Sequence, residues 1–237
     1  VNDSAQTSPA DGTFQYTFTP TQTGSWKIRL SYGGSTGIYD PLTTEFPYTV
    51  NGFKLTSTPL AWDFISLPLV PVTPDPSVTF GVTAAGTNNP VAVTALNVNR
   101  WVPDGTGAGR YFALNTDLDF PALAGGQGFW VYPGSPVDVN PRGRLWDQTQ
   151  PYTITLGKGW NMIGSVFTSD INWSAVKAIS GGTTFNITDA ASPVRPIAWG
   201  YNPLTNAYEA VSAPSGVLRS GRGYWVKALA PVQLTLN

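Results

Sequence analysis

An all-β fold is what this sequence predicts, on three observations. Gly (25) and Pro (21) punctuate the chain every few residues, which leaves little room for a helix of ordinary length. Between them lie short runs rich in Val, Thr, Tyr, Phe and Trp, the residues that suit a pleated, half-buried surface. Several runs alternate apolar with polar, the period of a strand with one face on a core.

The elements follow in order. Thr13–Thr19, "TFQYTFT", and Trp26–Tyr32, "WKIRLSY", read as the first strands. Asp75–Val82, "DPSVTFGV", predicts a single turn of helix. Tyr152–Leu156, "YTITL", and Val232–Leu236, "VQLTL", alternate cleanly and predict strands. Asp170–Ile179, "DINWSAVKAI", is the best helix of the chain, with Ser169 or Asp170 as N-cap and Gly181 as terminator.

One block is used twice. Gly126-Gln-Gly-Phe-Trp-Val recurs as Gly221-Arg-Gly-Tyr-Trp-Val. Upstream, Ala61-Trp-Asp-Phe-Ile-Ser matches Gly159-Trp-Asn-Met-Ile-Gly, and Arg100-Trp-Val-Pro matches Gly200-Tyr-Asn-Pro. Tyr111 then falls on Tyr208. Trp62 and Trp160 are 98 residues apart, Pro103 and Pro203 are 100, and Trp130 and Trp225 are 95, an offset steady enough to mark an internal duplication. The expected organisation is therefore residues 1–50, module 1 at 51–140, a linker at 141–148, "PRGRLWDQ", and module 2 at 149–237. The Gly-x-Gly sites do not open a helix, as a phosphate loop would. Their glycines are expected to turn the chain into a buried strand. The repeated Trp62, Trp130, Trp160 and Trp225 are expected to form the module cores.

Composition removes whole classes of function. Charged residues are 11% of the chain, against about 25% in an average globular protein, and the net charge is −1. Nucleic acid, which is bound through clustered Lys and Arg, is not an expected partner. No apolar run is long enough for a membrane-spanning helix, so membrane insertion is not expected. The chain contains no Cys and no His. The usual nucleophile–base pairs and transition-metal sites are thereby missing, and neither a catalytic site nor a cofactor is expected. The chain begins at Val1, which suggests a processed or excised piece.

The first module, "AWDFISLPLVPVTPDPSVTFGV" through "GGQGFWVYP", resembles a repeat of secreted bacterial and archaeal surface proteins. That repeat reads Gly-Trp-Asn-Leu-Ile-Ser-Leu-Pro, then a turn of helix, a strand pair and Gly-Lys-Gly-Tyr-Trp-Val. The second module departs from it, with "GSVFTSD" in place of the Ser-Leu-Pro stretch. The first fifty residues are similar to the second half of a bacterial immunoglobulin-like domain: a Phe-x-Tyr-x-Phe-x-Pro strand, Thr-Gly-x-Trp, and a last strand ending in Thr-Val-Asn. The resemblance implies a partial Ig-like β-sandwich followed by two tandem small β-sandwich or barrel modules. It also implies an extracellular, cell-surface setting, and it carries no catalytic residues. Three strands leave an uncovered edge, so the missing ones would come from upstream sequence, from the first repeat or from a neighbouring chain by strand addition.

The remaining candidates are few. Asp117, Asp119 and Asp104 are weak calcium candidates in Gly-rich loop sequence. Ser174-Ala-Val-Lys177 fits Ser-x-x-Lys, yet without the companion motifs it reads as the solvent face of a short helix. Glu45 and Glu209 are the chain's only glutamates and fall in different units, which is poor material for paired-carboxylate hydrolysis. Trp146, Trp173 and Trp199 do not recur between the repeats, which makes them the candidates for interface or glycan contact. Asn2, Asn172 and Asn186 stand in Asn-x-Ser/Thr sequons. The expected function is a non-catalytic extracellular building block of a surface layer, fibre or stalk, with itself or other surface proteins as partners. The alternative is a carbohydrate-binding accessory region of a larger secreted enzyme, with a polysaccharide as partner.

Overall fold

The computed structural model describes residues 24–32, 42–50, 55–57, 61–87 and 89–237, the first three segments as backbone strands only. The chain is all-β, as its turns and alternation predict. Strands β1 (Gly24–Tyr32) and β2 (Leu42–Val50) form an antiparallel pair in unbroken register, Gly24 opposite Val50 and Tyr32 opposite Leu42. The run Trp26–Tyr32 is thus a strand; Thr13–Thr19 and the Asn2 sequon lie outside the described residues.

The first repeat supplies β3 (Leu55–Ser57), β4 (Asp63–Ser66), helix α1 (Pro76–Phe80), β5 (Val82–Ala84), β6 (Asn99–Pro103), β7 (Gly109–Ala113), β8 (Gly128–Val131) and β9 (Val137–Val139). They make an outer sheet β3-β9-β5 and an inner sheet β4-β8-β6-β7. Ile65, Phe80, Leu96, Val98, Phe129 and Val139 are buried in one cluster with residues of both sheets. Helix α1 is the single turn foreseen at Asp75–Val82. The Asp75 carboxylate caps it by accepting from the Ser77 N–H at 2.8 Å, and Pro76 loses no hydrogen bond at the first turn.

The second repeat supplies β10 (Tyr152–Leu156), β11 (Gly159–Gly164), β12 (Ile171–Asn172), β13 (Lys177–Ser180), β14 (Thr183–Asn186), β15 (Val194–Asn202), β16 (Ala207–Ser212), β17 (Val217–Leu218), β18 (Gly223–Ala228) and β19 (Val232–Leu236). Its outer sheet is β10-β19-β13-β14 and its inner sheet β11-β18-β15-β16. Strand for strand, this is the order of the first repeat, with β14 and the short pair β12–β17 added. Pairing registers fix the equivalences: Phe64 opposite Trp130 becomes Met162 opposite Trp225, and Trp101 opposite Tyr111 becomes Tyr201 opposite Tyr208. The connecting stretch lies along the first module, where Val70 and Arg144 exchange two backbone hydrogen bonds of 2.8–2.9 Å.

The helix expected at Asp170–Ile179 is not formed. The stretch is β12, one turn of 3-10 helix at Trp173–Ala175, and β13. Ile171, Trp173, Val176 and Ala178 are all buried, and no single helix face would collect positions at these spacings. Asp170 accepts a hydrogen bond from the distant Ser220 N–H at 2.9 Å and caps no helix. Gly181 and Gly182, both at positive φ, form the two-residue turn between β13 and β14.

Candidate functional site: twin aromatic grooves at the module seam

Each inner sheet has two packed faces. One covers its own module's core; the other carries aromatic rings and meets the other module. Along β4, Ile65 points to the core and Phe64 to the seam, as the period of a strand requires. Phe64, Trp130 and Met162 form a separate buried cluster there, with Trp101, Tyr201 and Trp225 against it. Phe64 stacks on Trp130 at 4.7 Å and meets Trp225 of the second module at 5.8 Å.

The contact across the seam is reciprocal. Ile65 bridges to Arg222, and its counterpart Ile163 bridges to Gln127, the counterpart of Arg222. The Ser66 N–H donates to the Gly221 carbonyl at 2.9 Å, and the Gly164 N–H donates to the Gly126 carbonyl at 3.0 Å. Residue i touching j′ while i′ touches j is the signature of a two-fold axis. The two modules are thus related by a local two-fold.

This seam explains the Gly-x-Gly motif. Gly126 and Gly221 sit at φ +79° and +75°, the turn into the strand that the sequence suggested. The second glycine of each motif permits close approach. A Cβ on Gly128 would lie 2.7 Å from the Ile163 carbonyl oxygen, and one on Gly223 would lie 2.8 Å from that of Ile65. It also explains why "ISLP" becomes "IGSV". Ser66 and Gly164 are counterparts that face each other, and a Cβ on Gly164 would fall 2.0 Å from the Ser66 Cβ. Only one of the two positions holds a side chain.

A charge pair crosses the seam at 2.7 Å, Arg222 to Asp63. Burial pushes the Asp63 carboxyl above its ordinary range, while Arg222 and the Phe64 N–H pull it back. In the second module the same place holds the neutral Asn161, whose side chain ties the Gly157–Gly159 turn with three hydrogen bonds of 2.8–3.0 Å.

Two open grooves flank the axis. The first holds about 440 Å³ and is lined by Trp101, Tyr111, Trp160, Trp199, Tyr208 and Trp225. The second holds about 480 Å³ and is lined by Trp62, Asn99, Tyr111, Trp130, Tyr201 and Tyr208. Both volumes fall in the range of small-molecule sites, roughly 300–1,000 Å³. Exchanging each residue for its counterpart turns one list into the other: Trp160 for Trp62, Trp199 for Asn99, Trp101 for Tyr201, Trp225 for Trp130, Tyr208 for Tyr111. Ring geometry repeats as well. Tyr111 and Trp225 stand edge to face at 6.3 Å and 87°, and Tyr208 and Trp130 at 6.2 Å and 85°. Trp62 and Trp130 do so at 6.2 Å, Trp160 and Trp225 at 6.4 Å. The floor is fixed by the Trp101 indole N–H donating to the Trp160 carbonyl at 3.0 Å. Burial, together with Tyr208 nearby, raises the Tyr111 phenol.

The sequence-derived candidates are redistributed. Trp62 and Trp160 are not core residues: they are 43% and 38% exposed, because they stand on the sheet face turned from their own core. Trp130 is buried and Trp225 half-buried, both on that same face. Trp199 lines the first groove, as a contact residue would. Trp173 is instead fully buried in the second module's core. Trp146 is half-buried against that core, packed on Tyr152 at 5.0 Å and donating to the Gln150 carbonyl, so it pins the connecting stretch. Tyr111, Tyr201, Tyr208 and Trp101 were missed as site residues, although the alignment of Tyr111 with Tyr208 carried the signal.

The three aspartates do not converge. Asp117 accepts from the Ala113 N–H, Asp119 pairs with Arg110 at 2.8 Å, and Asp104 caps its own loop through Thr106. Among the described residues no three acidic, His or Cys side chains group as metal ligands would. Asn172 and Asn186 are exposed, and Asn186 bonds to Lys177 and Asp189. Among the described residues no helix is long and apolar enough to cross a membrane. No protein-family model, curated protein or solved structure matches the chain.

Proposed function

We propose that this chain is a non-catalytic, extracellular adhesive protein that holds a neutral glycan in the aromatic grooves at its module seam. The observation that carries this reading is the lining itself: every groove residue except Asn99 is Trp or Tyr. Flat aromatic faces stack on the C–H faces of sugar rings, and phenol and amide groups meet hydroxyls. The lining carries no charged side chain to pair with an acidic ligand, and no carboxylate pair for hydrolysing the chain it holds. The carbohydrate-binding alternative thus gains over a purely structural role.

The test is affinity electrophoresis in gels containing a soluble neutral β-glucan, xylan, mannan or starch. The wild-type chain is expected to be retarded by at least one. Tyr111→Ala with Tyr208→Ala strips exposed rings that line both grooves, and it should weaken binding about 30-fold, as loss of an aromatic hot spot of roughly 2 kcal/mol does. A wild-type chain that passes all four gels unretarded ends this reading.

A fibre- or layer-forming role rests on a separate observation. Among the described residues β1 and β2 pair only with each other, and strand addition from a neighbouring chain is the pairing this role requires. Head-to-tail addition of that kind builds filaments. Self-association that disappears when residues 1–50 are deleted, read as mass in solution, is the expected result; a full chain monomeric at high concentration refutes it.

A further inference from the structure

We infer that the chain carries two glycan sites, not one, and that they hold two separate strands of neutral glycan with unequal affinities. The inference rests on the glycan reading above and deepens it. Three observations carry it.

First, the grooves are equivalent by construction. Their linings interchange residue for residue when the modules are exchanged, and the seam contacts are reciprocal. The rings of Trp160, Trp225, Tyr111 and Tyr208 in the first groove are therefore repeated by Trp62, Trp130, Tyr208 and Tyr111 in the second.

Second, the grooves are distinct in place. Trp160 and Trp199 line only the first and Trp62 and Asn99 only the second, while Tyr111 and Tyr208 line both. A strand held in each makes one protein molecule a cross-bridge.

Third, the grooves have diverged in the side chains that face a ligand and not in the scaffold. Trp199 in the first groove is replaced by Asn99 in the second, and Trp101 by Tyr201. Asn99 is tied back, donating to the Asn97 carbonyl at 2.8 Å, so the carbonyl end of its amide is the part left to accept from a ligand hydroxyl. At the rim, Lys227 sits over Trp160 at 5.7 Å where the counterpart Tyr132 packs on Trp62 at 5.1 Å. The first groove stacks with more indole surface; the second offers a hydrogen-bonding edge. The two sites therefore have unequal affinities for the same sugar.

Titration calorimetry of the full chain with cellohexaose, xylohexaose, mannohexaose and maltohexaose tests this. For the sugar that binds, two molecules per chain are expected, with affinities that differ. Trp199→Ala should weaken the first site at least about 30-fold and leave the second within a factor of about two; Trp62→Ala should do the reverse. Both positions are exposed, and circular dichroism checks that each variant keeps its fold. At a dilution where the chain is monomeric, wild type should also make the matching soluble polysaccharide turbid by cross-linking it, and either single substitution should abolish the turbidity. One molecule bound per chain, with either substitution abolishing it, means a single composite site and overturns this inference while the glycan reading stands. No heat with any of the four sugars overturns both.

Discussion

Replacing Trp173 by alanine is expected to cost about 3–5 kcal/mol of stability, the range for truncating a large buried aromatic. Among the described residues Trp173 is the largest fully buried side chain, and it stands in one core with Ile171, Val176, Leu218 and Tyr224. Truncation leaves a cavity in a core whose other members, among them Val176, Ala178, Ile187 and Leu218, are themselves fully buried. The indole N–H of Trp173 has no hydrogen-bond acceptor among the described residues. An unsatisfied buried donor costs roughly 1–3 kcal/mol. Trp173→Phe removes that donor while keeping a ring, so it should cost far less than the alanine variant. Urea unfolding followed by far-ultraviolet dichroism measures both. An alanine variant within about 1 kcal/mol of wild type would show that this ring does not organise the second module.

The second large effect is expected at the seam. Gly164→Ser, which gives the second module the residue of the first, should destabilise the contact between modules by about 1–3 kcal/mol, as overpacking does. Its Cβ would arrive 2.0 Å from the Ser66 Cβ, closer than any real side chains come. The exchanged variant, Ser66→Gly with Gly164→Ser, should recover most of the loss, because the axis relates the two positions. A double-mutant cycle reads the coupling. Near-ultraviolet dichroism reads the edge-to-face ring pairs on either side of the seam. Equal costs for the single and the exchanged variant would contradict the two-fold relation.

The Trp-Val landmarks made the duplication legible, and strand pairing places Trp130 with Trp225, Phe64 with Met162, Trp101 with Tyr201 and Tyr111 with Tyr208 at equivalent positions. Burial was not legible from the same residues. A Trp that recurs in two modules is usually core, and strand alternation in Trp62-Asp-Phe-Ile-Ser separates two faces without naming the inner one. Here both faces are packed, one on the module's own core and one on the neighbouring module. Trp173 was misread for the converse reason. It lacks a counterpart in the first module because the β12–β17 pair that surrounds it is an addition to the second. The groove needed the relation between modules, which no local pattern encodes. Its trace was the match of Tyr111 with Tyr208, two tyrosines on the equivalent edge strands β7 and β16 with no apolar stripe to explain them.

The reciprocal seam has the form of a homodimer interface written into one polypeptide. In a dimer of separate modules, the grooves would exist only while the partners were associated, and would fall apart on dilution. Residues 141–148 make that association intramolecular, with an effective concentration of order millimolar for a short tether. The grooves therefore persist however dilute the protein becomes. Joining has a further effect. A dimer of identical chains must carry the same residue at both symmetry-related positions, whereas one chain is free to hold Trp199 on one side of the axis and Asn99 on the other.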